Sequence, residues 1–112
     1  MEKQNADILA GLDRCIRLEE RFLPKFPAGT SQHSLLKNRI RALYTARQLF
    51  SGELPPSKED LEFSRPRIES ILHKVSKARD KHDAGSRNYR RFDPTVQLME
   101  RVSAEIRRAL EG

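Results

Sequence analysis

The sequence predicts an all-α fold, an antiparallel up-down bundle of four helices that forms one domain over residues 1–112. Apolar residues recur at helical spacing in four segments, and no segment shows the alternation typical of a strand. Prolines and glycines fall between these segments and leave short connections, which favour antiparallel neighbours. With 37% hydrophobic residues, a chain of 112 residues can bury a core without a disulfide, and its single cysteine allows no intramolecular bridge.

The first helix is predicted over residues 5–23. At about 100° per residue, seven apolar side chains fall on one side of it, which is the spacing of an amphipathic helix. These residues are Ile8, Leu9, Leu12, Cys15, Ile16, Phe22 and Leu23. Because proline has no backbone N–H to continue the helical ladder, the helix is expected to stop at Pro24, and residues 25–29 are expected to form a turn.

The second helix is predicted over residues 31–51, with Thr30 or Ser31 as its N-cap. A hydroxyl at the N-cap accepts a hydrogen bond from a backbone N–H group that has no partner in the first turn. Gly52 is expected to mark the end of this helix. The residues that share its apolar face are Leu35, Leu36, Leu43, Ala46 and Phe50.

A third helix is predicted to begin within residues 57–60, after the rigid connector 53–56. The residues Ser-Lys-Glu-Asp at its start have the pattern of a capping box. Pro66 removes one hydrogen bond inside the span and crowds the preceding turn, so we expect a kink or a break near Ser64 and Arg65. The apolar stripe of this helix contains Leu61, Ile68, Ile71, Leu72, Val75 and Ala78.

The fourth helix is expected to start at Asp93, as an acidic N-cap, with Pro94 at the first helical position. Residues 83–86 are expected to end the third helix, and residues 87–92 to form a loop between the two helices. The apolar stripe of the fourth helix continues to the C-terminus through Val96, Met99, Val102, Ile106, Ala109 and Leu110.

The pattern also indicates two similar helical hairpins, because a shift of 56 residues aligns the two halves of the chain. The triplet 28–30, Ala-Gly-Thr, then falls on the triplet 84–86, Ala-Gly-Ser. The apolar positions that correspond are Leu12 with Ile68, Ile16 with Leu72, Ile40 with Val96, Leu43 with Met99, and Phe50 with Ile106. Identical residues are few, so the alternative is two helical pairs that share only their periodicity.

No segment of the sequence is suited to cross a bilayer, because 34% of the residues are charged and no apolar run exceeds three residues. The N-terminal segment carries acidic residues and no apolar stretch follows it, so no secretory signal is expected. The sequence therefore predicts a cytoplasmic protein without membrane contact.

The sequence contains no pattern that indicates catalysis, so the protein is expected not to be an enzyme and to carry no cofactor or metal. His33, His73 and His82 lack the clustered ligands that a helical metal site requires. Cys15 falls on the apolar face of the first helix, where a thiol packs as a small hydrophobic group. The five glycines are scattered along the chain and form no phosphate-binding loop.

The net charge of +6 is concentrated in two places. No acidic residue lies between Glu20 and Glu53, and three arginines cluster in the predicted loop 87–92, beside two aromatic residues. Positive charge combined with aromatic faces is typical of single-stranded nucleic-acid sites, and the alternative is a solvated connector. The candidate residues for contact with an anion or a partner are Lys37, Arg41, Arg87, Tyr89, Arg90 and Arg91.

Two charged residues occupy apolar faces and predict a buried ion pair. Glu19 lies near the centre of the stripe of the first helix, and Arg39 lies between Leu43 and Ala46 on the second. Because these positions face each other in an antiparallel hairpin, the guanidinium is expected to bond the carboxylate at two points. The alternative is that both side chains extend to water.

Together these features predict a small helical protein that acts by binding. The first hypothesis is a protein-interaction or structural module with a protein partner, for which a second copy of the chain is one candidate. The second hypothesis is nucleic-acid or polyanion binding through the basic loop and the surface of the second helix. Salt-sensitive retention on heparin favours the second hypothesis, and a concentration-dependent mass favours a homodimer.

Overall fold

The computed structural model describes residues 3–52 and 54–112, and within them the all-α fold is confirmed. Four α-helices and one short 3-10 helix form this part of the chain, with no strand. The α-helices pack against one another as a bundle. Their bounds are α1, Lys3–Phe22; α2, Ser31–Ser51; α3, Lys58–Asp80; and α4, Arg87–Glu111; the 3-10 helix is Leu23–Lys25.

The starts of α2 and α3 follow from the hydroxyl caps that the sequence predicts. Thr30 Oγ1 and Ser57 Oγ each accept from the backbone N–H three residues later, at 3.2 and 3.1 Å. Each bond satisfies an N–H group that has no partner within the helix. The predicted end of α2 is also confirmed, since Gly52 adopts a left-handed conformation there. Glu53 of the predicted connector lies outside the described residues.

Pro66 lies inside α3 without interrupting it, so the expected break in this helix is wrong. Leu61 and Ile68, one on each side of the proline, are both buried in the core, and this packing keeps the helix continuous. The guanidinium of Arg67 donates to the carbonyl oxygen of Phe63 at 2.9 Å, in the turn that the proline ring crowds. A bend of α3 at this point stays a prediction.

The start of α4 corrects the sequence prediction, because the helix begins at Arg87 and not at Asp93. Ser86 is the N-cap, and its Oγ accepts from the backbone N–H of Tyr89 at 3.2 Å. The predicted loop 87–92 is therefore helical, and Pro94 lies inside the helix. The Asp-Pro pair has the composition of a helix start, but the hydroxyl cap upstream begins the helix earlier.

The two hairpin turns have the same geometry at positions related by the 56-residue shift. Gly29 and Gly85 have φ values of +91° and +90°. Each glycine is followed by a hydroxyl N-cap, Thr30 or Ser86, whose backbone N–H donates to the carbonyl oxygen three residues earlier at 3.2 or 3.0 Å. Because α2 and α4 begin at corresponding residues, the turns support the hypothesis of two similar hairpins.

The core is built from corresponding positions of both hairpins. Helices that follow one another in the chain pack together, whereas α1 and α4 touch at few residues. The antiparallel direction is visible in two bonds, since Tyr44 donates to Glu20 and Arg47, later in α2, donates to Asp13, earlier in α1. The corresponding buried pairs are Leu12 and Ile68, Leu43 and Met99, Ala46 and Val102, and Phe50 and Ile106.

Replacing Gly29 or Gly85 with alanine should lower the free energy of unfolding by about 1 kcal/mol in each case, because an L-residue adopts a positive φ only with strain. Apart from the glycine and its two neighbours in the chain, no heavy atom of the described residues lies within 4 Å of the added Cβ at either site, so the loss comes from the backbone alone. Urea unfolding followed by circular dichroism measures both losses. Ala28→Ser, at an exposed neighbour, should change this free energy by less than about 0.5 kcal/mol. Clearly unequal losses at the two glycines would contradict the equivalence of the turns.

Candidate functional site: a cleft between α1 and α2

A cleft opens where the C-terminal turns of α1 meet the N-terminal turns of α2. Its volume is about 350 Å³, which is in the range of ligand and side-chain binding sites. The charged residues that line it are Glu19 of α1, Arg39 of α2 and Lys74 of α3. Its apolar walls are formed by Leu18, Phe22, Phe26, Leu35 and Leu36.

Three of the apolar side chains around this cleft are open to solvent. Leu18, Phe22 and Leu35 are 50%, 39% and 47% exposed. The sequence pattern assigned Phe22 and Leu35 to core faces, and that assignment is wrong. Ile16 is the last buried residue of α1, so the final turns of this helix extend past the core before the chain reverses through the 3-10 helix. The cleft therefore combines a concave shape with exposed apolar surface.

Arg39 is the buried polar group of the cleft, with 7% of its surface exposed. Its Nη2 donates to Ser70 Oγ of α3 at 3.3 Å. Its Nε is buried and has no acceptor among the described residues. A buried charged donor without an acceptor is unfavourable, because it has lost its hydration and gained no bond in exchange.

The predicted ion pair between Glu19 and Arg39 is not formed. Arg39 is buried as expected and both residues line the cleft, but no salt bridge within the described part of the chain joins them. The reason is the position of α2, which packs on α3 as well as on α1, so that Arg39 reaches Ser70.

Burial raises the pKa of the nearby Cys15 thiol, and the charge of Glu19 raises it further.

Replacing Glu19 with glutamine should change the free energy of unfolding by less than about 0.5 kcal/mol, because the substitution breaks no ion pair. Arg39→Met keeps a long side chain and removes the unsatisfied guanidinium, so it should leave this free energy unchanged or raise it. Urea unfolding gives both values. Losses of about 3 kcal/mol in both variants would contradict this view, since they are typical of a buried ion pair that has lost one partner.

The three arginines of the predicted basic cluster lie in the first turns of α4 and not in a loop. Arg87, Arg90 and Arg91 are exposed, and none of them forms a salt bridge with a described acidic residue. Positive charge is unfavourable at a helix N-terminus, where the free N–H groups carry positive partial charge. The helix thus begins with three arginines that no described acidic residue pairs with directly.

Tyr89 and Asp93 contribute to the packing of α3 against α4. Arg79 of α3 donates to Asp93 at 2.8 Å, and its guanidinium carbon lies 5.1 Å from the centroid of the Tyr89 ring. Hydrogen bonds to Asp80 and Asp93 raise the pKa of Arg79. Asp93 is therefore an interhelical partner and not an N-cap, and the ring of Tyr89 already has a cation beside it.

The two basic candidates of α2 are Lys37 and Arg41, and Arg41 lies apart from the arginines of α4 and has other contacts. Arg41 donates to Asp60 in the first turn of α3 at 3.2 Å, and its guanidinium lies 3.9 Å from the ring centroid of Phe63. The arginines of α4 follow the opposite end of α3, which has 23 residues and is therefore about 34 Å long. Arg41 is thus remote from them, and Lys37 is exposed.

A broader groove, of about 830 Å³, separates α1 from α4. It exists because these two helices touch at few residues. Arg14, Arg91 and Arg101 line the groove, and Arg101 is bonded to Glu105 at 2.9 Å. Arg91 is therefore a sequence-predicted contact residue that the structure places at a concave surface.

Other chemically distinctive groups take part in packing. His82 stacks on Phe92 of α4, with 6.1 Å between ring centroids. Because its pKa is raised, the Cys15 thiol stays protonated at neutral pH and is a poor nucleophile. Across residues 3–52 and 54–112, no three His, Cys, Asp or Glu side chains form a group that could hold a metal ion. No helix in the described ranges combines the length and apolarity needed to span a bilayer.

The sequence contained one signal for the cleft, which is Leu18. This leucine lies outside the apolar stripe predicted for the first helix, so it is a large apolar residue on a surface position. The periodicity alone could not show that Phe22 and Leu35 join it, because both residues also fit core positions. No protein-family model, curated protein or solved structure matches this chain.

Proposed function

We propose that this protein is a non-catalytic, cytoplasmic helical module that binds a protein partner through the α1–α2 cleft. The observation that carries the proposal is the exposure of Leu18, Phe22 and Leu35 around one cavity. Single exposed apolar side chains are ordinary on a protein surface, whereas a group of them around a concave site is typical of an interaction surface.

Comparison of the two hairpins supports this proposal. Leu18, Phe22 and Leu35 occupy positions that also exist in the second hairpin. The corresponding residues there are Lys74, Ala78 and Arg91. That hairpin closes its end with contacts of its own, including the salt bridge between Arg79 and Asp93. The second hairpin therefore forms without large apolar side chains at these positions. Binding thus explains the presence of Leu18, Phe22 and Leu35 in the first hairpin better than folding does.

Leu18→Glu and Leu35→Glu, made separately, should each reduce partner capture at least tenfold, because a charge replaces an apolar contact at the centre of the surface. Leu54→Glu is the matched control, since Leu54 is 82% exposed and lies outside the cleft. Tagged full-length variants retain proteins from a lysate of the native host, and quantitative mass spectrometry measures the retained amounts. Circular dichroism verifies that helix content is unchanged. Equal retention by the wild type and all three variants would contradict the proposal.

A second candidate function, binding of nucleic acid or another polyanion, is supported by a different observation. Arg87, Arg90 and Arg91 lie together at the start of α4, exposed and without salt bridges to described acidic residues. Phosphate groups bind favourably at helix N-termini, and the guanidinium group bonds their oxygens at two points. The net charge of +6 also attracts polyanions.

Replacing Arg90 and Arg91 with alanine should lower the salt concentration at which the protein elutes from heparin, because fewer counterions are released on binding. The free energy of unfolding should change by less than about 0.5 kcal/mol, since both side chains are exposed. The matched control is Arg107→Ala with Arg108→Ala, which removes the same charge near the other end of α4. Equal effects of the two double variants would indicate dependence on net charge alone, and a wild type that heparin does not retain at low salt would exclude polyanion binding.

A further inference from the structure

We propose that the partner segment in the α1–α2 cleft is an amphipathic helix with one carboxylate, and that this carboxylate bonds to Arg39. The inference rests on the proposed function, because it names the chemistry of the partner at the same cleft. Three observations carry it: an arginine that lines the cleft and has incomplete hydrogen bonding, the charges beside that arginine, and the arrangement of the exposed apolar side chains.

Arg39 supplies the unsatisfied donors. Its Nη2 bonds Ser70 at 3.3 Å, and its buried Nε has no acceptor in the described part of the chain. The two oxygens of a carboxylate match the spacing of neighbouring guanidinium N–H groups, so one carboxylate can accept from two N–H groups of the Arg39 guanidinium together. An amide or hydroxyl oxygen accepts without a charge and lacks this paired geometry, so it would bind Arg39 more weakly.

The charges in the cleft also favour an anionic group. Arg39 and Lys74 line it on the positive side, and Glu19 is the acidic residue that lines it. Two cations and one carboxylate leave the cleft with one excess positive charge, and no salt bridge among the described residues joins Glu19 to either cation. A carboxylate from the partner would neutralise that charge, whereas an ammonium or guanidinium group would be repelled.

The apolar side chains are arranged to receive a helix. Leu18 and Phe22 are one turn apart on α1, and Leu35 belongs to the antiparallel α2, so apolar groups flank the cleft on both sides. A partner helix with apolar residues at positions i and i+3 or i+4 fits between such groups. A second copy of this chain that used the same face would bring a second excess positive charge into the interface, which disfavours a homodimer there.

A phage-displayed library of helical peptides of about four turns provides the probe. At its variable positions, Asp and Glu occur as often as Asn and Gln. The immobilised target is the whole chain. Counter-selection on Leu35→Glu, at a residue that lines the cleft and not the α1–α4 groove, removes peptides that bind outside the cleft. We expect the remaining peptides to share two apolar residues one turn apart and one Asp or Glu.

A selected peptide is then synthesised with its acidic residue as Glu and as Gln, and fluorescence anisotropy measures the affinity of both forms. On the wild type the Gln form should bind about tenfold more weakly, as expected when a hydrogen bond to a charged group is lost. On Arg39→Met the two forms should bind equally. On Glu19→Gln the Glu form should bind at least as tightly as on the wild type, because a neighbouring negative charge has been removed.

Selected peptides without a preference for acidic residues, or Glu and Gln forms that bind the wild type equally, would overturn the carboxylate partner and leave the cleft as a binding site. Failure to recover any peptide that depends on Leu35 would instead overturn the proposed function itself. A concentration-dependent mass that Leu35→Glu abolishes would identify a second copy as the occupant of the cleft and overturn the proposed partner helix. The comparison of Glu and Gln forms on the wild type holds even if Arg39→Met does not fold.

Discussion

Burial of α2 against α1 and α3 at the same time is the constraint on which the rest of the structure depends. Its residues Ala42, Leu43 and Ala46 are almost completely buried, and the two alanines let the neighbouring helices approach closely. This helix carries four basic residues and no acidic one. Its cations must therefore find acceptors on neighbouring helices or reach water. Arg41 and Arg47 bond to acidic residues of α3 and α1, respectively. Arg39 is buried on the same helix and finds only a serine hydroxyl.

The two hairpins share one construction and differ at their turn ends. In the second hairpin, Arg79 and Asp93 satisfy each other between α3 and α4. In the first hairpin, the corresponding positions are Leu23 and Lys37, which form no such bond. The end of the first hairpin therefore keeps exposed apolar groups and an incompletely bonded arginine, while the end of the second is closed by its own side chains. Local departures from ordinary packing of this kind are typical of binding surfaces.

Much of the fold could be predicted because its signals are local. The hydroxyl of Thr30 and the glycine at position 52 delimit α2 without help from distant residues. The start of α4 could not be predicted in this way, since Ser86 and the Asp93-Pro94 pair are both reasonable helix starts. The choice between them depends on packing: Asp93 is bonded to Arg79 of another helix, and the segment before it is helical up to the cap at Ser86. A local sequence pattern cannot choose between two possible helix starts when a contact with another helix decides which of them forms.

The sequence by itself determined that the chain forms four helices in two hairpins, because amphipathic periodicity, proline positions and N-cap hydroxyls act over a few residues. It also determined that Arg39 occupies a face that becomes buried. Only the tertiary structure decided what this guanidinium bonds to and which apolar residues remain exposed. Glu19 and Ser70 lie on the two helices that pack against α2, and Arg39 bonds to Ser70 of α3. Phe22 and Leu35 have the spacing of core residues, but the core ends before the hairpin turn, and spacing along one helix contains no information about where its neighbours end.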